Sequence, residues 1–145
     1  MKPVGIKINS DNCTDLGGFC SGAEAKQTLS IHLNGKVYWN RYFLGRYEEG
    51  KMPWELPLII KRKIVKIDGK QAEQLINEIK AIFDNHESFE ELFDGGMWNA
   101  EFRFDGARNL TCMGSLGASE LVQISDTVRK TLSLPEVWAF AINTD

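Results

Sequence analysis

Two dipeptides limit what this chain can fold into. Asn34-Gly35 and Asp105-Gly106 each lie between segments whose apolar residues recur at every second position. Asn-Gly and Asp-Gly tolerate the positive φ angles of tight turns, so each marks a β-hairpin. Around the first, segments 27–33 and 36–44 can pair in two ways. A two-residue turn would set Leu33 against Lys36 and Leu29 against Asn40. A three-residue loop of Leu33, Asn34 and Gly35 pairs Ile31 with Val37 and Leu29 with Trp39, which gathers a continuous apolar stripe on one face. The second register is the expected one. Phe43 extends its stripe, while Tyr38 and Tyr42 point the other way. The same loop logic at Gly106 predicts Ala100 opposite Leu110 and Trp98 opposite Cys112, with Trp98, Ala100 and Phe102 sharing a face.

The rest of the chain is read from its periodicity. Val4, Ile6 and Ile8 alternate as a first strand over 4–8, and 58–67 is a β-branched strand with Lys61, Lys63, Val65 and Ile67 on one parity. Residues 9–25, rich in Asn, Asp, Ser and Gly, form an unusually long loop, and 45–57 a second one. Ala72, Leu75, Ile76, Ile79, Ile82 and Phe83 fall at helical spacing, and Asp68 with Gln71 three residues on is a capping-box pattern, which predicts a helix over 70–84. Ser88 and Glu91 repeat that spacing over a short turn through Phe93. A second helix is expected over 118–132, with Leu121, Ile124, Val128 and Leu132 as its stripe. After Pro135, the apolar run 137–142 is expected to be a last strand.

Hairpins imply antiparallel pairing, because parallel neighbours need long crossovers. Helices with one apolar stripe each lie most simply on one face of a sheet. The expected fold is therefore α+β: a mainly antiparallel sheet of about six or seven strands, two hairpins, and two amphipathic helices on one face. At 145 residues without repeats or linkers, the chain is a single domain spanning 1–145. With 43% hydrophobic and 26% charged residues it can build a core without disulfides or metal.

The net charge of −3 favours solubility and gives no general attraction to nucleic acid or acidic lipid. No run approaches the ~20 apolar residues that span a bilayer, and no apolar stretch of signal-peptide length follows Met1. Three cysteines, Cys13, Cys20 and Cys112, make no disulfide framework. Reduced thiols and a cytoplasmic location are expected, without a membrane partner.

Sequence motifs for chemistry are sparse. Gly114-Ser115-Leu116-Gly117 lacks the Gly-x-Ser-x-Gly spacing of a nucleophile elbow, and no Lys-Ser or Lys-Thr follows it to make a phosphate loop. Six residues separate Cys13 from Cys20, and neither His32 nor His86 lies near another ligand, which argues against zinc. Glu87, Glu90, Glu91 and Asp94 fit a solvated polar face. No cofactor, catalytic group or metal site is assigned.

Three binding surfaces remain. Tyr38, Tyr42, Tyr47 and Trp54 lie on or just after the first hairpin, off its core stripe; Tyr and Trp favour interfaces because each joins apolar area to a polar tip. Tyr47 and Trp54 could equally pin the 45–57 loop to the domain. Lys61, Arg62, Lys63 and Lys66 could contact phosphates, yet edge strands also carry lysines to prevent aggregation, and the wider basic footprint of a nucleic-acid binder is missing. Cys20 and Ser115, with the 9–25 loop, could line a pocket for a small molecule or nucleotide, the alternative under which the chain could be a small enzyme. The preferred expectation is a non-catalytic binding protein of accessory, inhibitor or immunity type, which uses a sheet face and loops to bind a protein partner or itself.

Overall fold

The computed structural model describes residues 1–12, 22–46, 48–52, 55–92 and 96–143. Among them, six strands form one antiparallel sheet in the order β4-β3-β2-β1-β5-β6. In chain order these are β1 (Gly5–Asp11), β2 (Glu24–His32), β3 (Lys36–Leu44), β4 (Leu58–Lys66), helix α1 (Gly69–Asp84), β5 (Met97–Phe104), β6 (Ala107–Ser115) and helix α2 (Ser119–Leu132).

β1 is a central strand, and alternation explains its burial. Ile6 and Ile8 point inward, flanked by Ile31 and Leu29 of β2 on one side and by Phe102 and Ala100 of β5 on the other. The strand runs past Ile8 to Asp11, so the first loop is shorter than residues 9–25. Asn9, Ser10 and Asp11 are poor strand formers, but neighbours on both sides satisfy their backbone.

The first hairpin has the expected register, with Leu29 opposite Trp39 and Ile31 opposite Val37. Gly35 sits at φ +92°, and a Cβ there would lie 2.0 Å from the Ile67 carbonyl oxygen, so the turn needs glycine for both reasons. The second hairpin differs from expectation by two residues. Trp98 faces Gly114, Ala100 faces Cys112 and Phe102 faces Leu110, with a register shift beside the Asp105-Gly106 turn. The indole of Trp98 supplies the reason. A Cβ on Gly114 would lie 2.6 Å from its ring, so the bulkiest residue of β5 takes the one partner without a side chain. Cys112 thus lies across from Ala100, not Trp98, although the faces are unchanged because the offset is even.

Both helices cover the inner face. Asp68 caps α1 by accepting from the Lys70 amide, and Ala72, Leu75, Ile76, Ile79 and Phe83 are buried. Phe83 lies in a cluster with Phe89, Trp98, Phe102 and Phe140, ring centroids 5.1–5.6 Å away. In α2, Leu121, Ile124, Val128 and Leu132 are buried as expected, together with Ser125 and Arg129. No helical turn forms over the described residues 88–92. Their amides bond elsewhere: Glu90 N donates to the Glu120 carboxylate (3.0 Å) and Leu92 N to Ser115 Oγ (3.2 Å).

The expected last strand over 137–142 is absent as well. This run is nonetheless core, with Val137, Trp138, Ala139, Phe140 and Ala141 all buried. From the turn after α2 it crosses the sheet at a steep angle to the strands, on their inner side. Glu136 meets Arg41 of β3 and Gln27 of β2, Trp138 meets Gln27, Ala139 meets Ser10 of β1, and Phe140 packs on Trp98 of β5.

A segment that crosses strands cannot join their ladder, so side chains must satisfy its backbone. Among the described residues the buried polar side chains are Ser10, Gln27, Ser125 and Arg129. All four bond this tail. Ser10 Oγ donates to the Ala139 carbonyl. The Gln27 amide nitrogen donates to Glu136 O (2.9 Å), and its oxygen accepts from Trp138 N (2.9 Å) and from the Trp39 indole (2.9 Å). Arg129 Nε donates to Val137 O (2.7 Å), another guanidinium nitrogen donates to Ala141 O, and a third pairs with Asp126 at 2.6 Å. Ser125 Oγ accepts from Phe140 N (3.2 Å). Gly117 N donates to Phe140 O (3.0 Å), which ties the tail to the start of α2.

An orphaned buried carbonyl costs about 1–3 kcal/mol. Arg129→Met should therefore lower the unfolding free energy by ~3 kcal/mol in urea denaturation, whereas Lys130→Met, one residue on and exposed, should change it by less than ~0.5 kcal/mol.

Candidate functional site

Because helices and tail occupy the inner face, the outer face of the sheet is uncovered among the described residues. Strand alternation decides what it shows. In β3 the even positions Tyr38, Asn40 and Tyr42 point outward, and β4 supplies their direct partners: Ile64 opposite Tyr38, Arg62 opposite Asn40 and Ile60 opposite Tyr42. Ile64 is 64% exposed and Ile60 47%. Pairs of this kind, aromatic against β-branched, each contribute roughly 0.2–1 kcal/mol to the sheet, yet these leave their outward surfaces in water.

The centre of the same face is polar, with Asn40 Nδ2 donating to Thr28 Oγ1 (3.1 Å). Lys26 Nζ stands 5.0 Å over the Tyr42 ring, and His32 meets Tyr38 edge-on at 5.5 Å. Met97 and Met113 form a second exposed apolar area on β5 and β6.

The other flank of β4 is basic. Trp39 and Arg41 of β3, Lys61, Arg62 and Lys63 of β4, and the turn Ser133 to Glu136 line an open cleft of about 420 Å³. Arg41 forks onto Glu24 (2.9 and 2.8 Å) and reaches Glu136 at 2.5 Å. Glu24 first, and then Glu136, hold its guanidinium above its ordinary value. Lys61 Nζ lies 4.9 Å over the Phe43 ring. Arg41 is thus committed to two carboxylates, whereas no carboxylate among the described residues pairs with Lys61, Arg62 or Lys63.

The structure brings together some of the expected residues. Tyr38 and Tyr42 share the uncovered face. Lys61, Arg62 and Lys63 line the cleft, but Lys66 is not part of its lining. Tyr47, Trp54, Cys13 and Cys20 lie outside the described residues. Ser115 is engaged: its Oγ accepts from Leu92 N and its carbonyl from the Trp98 indole at 3.1 Å. Cys112 is half-buried against the core, and burial pushes its thiol up from the ordinary value. Among the described residues, no three His, Cys, Asp or Glu side chains converge to hold a metal, and no helix is long and apolar enough to cross a membrane. Glu90 and Glu120 belong to the start of α2, where the Glu90 carboxylate accepts from Ser119 N (3.2 Å).

Ile60 and Ile64 are the site residues that sequence reasoning missed. Their signal was the alternation within 58–67, whose other parity holds Leu58, Ile60, Arg62 and Ile64, but that β4 pairs with β3 could not be read from it. No family model matches the chain, and no curated protein matches it.

His32 reports on this face. Burial first, and then the Arg103 and Lys36 charges, hold its imidazole below the ordinary 6.5. The folded state thus favours neutral His32, a stabilisation present above pH 6.5 and lost as pH falls through the folded midpoint. An NMR titration should place that midpoint below 6.5, and His32→Gln should remove this contribution to the stability loss on acidification.

Proposed function

We propose that this chain is a non-catalytic protein-binding module of the accessory, inhibitor or immunity type, acting in the cytoplasm, which docks its partner on the outer sheet face at the β3–β4 end. The observation that supports it is the uncovered set of Tyr38, Tyr42, Ile60 and Ile64, held in direct cross-strand register with the isoleucines exposed. Exposed apolar side chains are unremarkable singly; a contiguous group of them on a regular sheet marks an interaction surface. Tyrosine adds area at low conformational cost and keeps a hydroxyl for the polar rim. The connection from β3 to β4 also carries Tyr47 and Trp54 in its sequence.

A photo-crosslinking residue placed at Ile64 tests this, with one at Val122, an exposed position on α2, as reference. One protein should couple at position 64 and not at 122. Once purified, that protein should bind tenfold or more weakly to Tyr42→Ala or Ile60→Ser, while Met113→Ser leaves binding within twofold. Equal coupling at both positions, or unchanged affinity of Tyr42→Ala and Ile60→Ser, contradicts the proposal.

A further inference from the structure

Among the described residues β4 is an open sheet edge of nine residues, each paired with β3 without a register shift and without proline. The opposite edge, β6, is interrupted by a shift next to its turn. Bulges, prolines, short length and charged side chains are the usual ways to blunt an edge, and β4 uses only the last, in Lys61, Arg62, Lys63 and Lys66. Ile67 N donates to Gly35 O (2.9 Å), which turns the odd-numbered residues of this strand toward β3. The backbone N–H and C=O of Ile60, Arg62 and Ile64 therefore point to the free edge.

Charge decides what can dock there. A second copy paired antiparallel about Arg62 would set Lys61 against Lys63 and Arg62 against Arg62, and like charges directly opposite are unfavourable. In that centred register the edge repels a copy of itself. A guest strand of another protein would bond the backbone of Ile60, Arg62 and Ile64. Its residues opposite Lys61 and Lys63 would lie two apart and face the basic cleft, while the residue between them would lie opposite Arg62 and those on either side opposite Ile60 and Ile64, on the outer face.

We infer that β4 accepts, by strand addition, an extended acidic segment of a partner protein in which Asp or Glu alternates with apolar residues. This rests on the protein-binding reading and names the partner's chemistry. Exposed isoleucines and an alternating pattern suit a peptide better than nucleic acid, whose phosphates would use the cations alone.

The test uses nine-residue synthetic peptides and the full chain, read by fluorescence anisotropy. A peptide alternating Glu and Val should bind. A block peptide of the same composition, and the alternating one N-methylated on its valines, should each bind at least tenfold more weakly. Lys61→Glu combined with Lys63→Glu should lose the Glu/Val peptide and gain one alternating Lys and Val. Ile64→Pro removes an outward amide without touching the β3 ladder and should abolish binding, while Ile64→Ala keeps most of it; if Ile64→Pro does not fold, the N-methylated peptide carries the same question. Equal binding of block or N-methylated peptide, or tighter binding of an oligothymidylate, overturns strand addition. So does silence of all peptides while a partner crosslinked at Ile64 remains sensitive to Tyr42→Ala, an outcome that would leave the sheet-face reading standing.

Discussion

The cross-sheet tail is the constraint on which the rest depends. An irregular segment inside a core is costly, because each buried amide and carbonyl must find a partner off the ladder. Here four side chains from three elements supply partners: Ser10 from β1, Gln27 from β2, and Ser125 and Arg129 from α2. Gln27 bonds two tail groups and the Trp39 indole at once, so it joins tail, β2 and β3. Arg129 has its charge matched by Asp126 and spends its other nitrogens on tail carbonyls. A partly satisfied network of this kind would be worse than an apolar core; satisfied, it specifies one arrangement.

The tail also explains why the two faces of the sheet differ. Helices, tail and aromatic cluster fill the inner side from β2 to β5, and among the described residues nothing covers the outer side. Along β4 they reach only Val65, which packs partly against the core, while Lys61 and Lys63 at the centre of the strand stay exposed. The boundary between packed core and open edge thus passes between β3 and β4. Trp39 lies on the buried side of it and Lys63, its direct partner, on the wet side.

Much of the fold was legible because local patterns and global packing agreed. Ile31 with Val37 and Leu29 with Trp39 follow from parity and one glycine, and the α1 stripe from Ala72 to Phe83 follows from period alone. The misses share a cause: each was settled by a partner distant in sequence. Residues 137–142 look like a strand because they are apolar, and only Ser10, Gln27, Ser125 and Arg129 reveal that they cross the sheet instead. Gly114 pairs with Trp98 because an indole needs room, which turn chemistry does not encode. Ser88 and Glu91 matched a helix cap, but Glu120 of α2 takes the amide of Glu90 and Ser115 at the end of β6 takes that of Leu92. Of the candidate site, the tyrosines and the basic run were visible as residue types; their meeting on the two sides of β4 depended on strand order.

Native-state hydrogen exchange at the Trp138 and Phe140 amides is the most direct test of the tail's role. Held by Gln27 and Ser125 inside the core, both should exchange only through global unfolding, as slowly as the amides of Ile6 and Ile8 in β1. Exchange of the tail amides orders of magnitude faster than those of β1 would mean that the tail opens on its own, and that the fold does not depend on it.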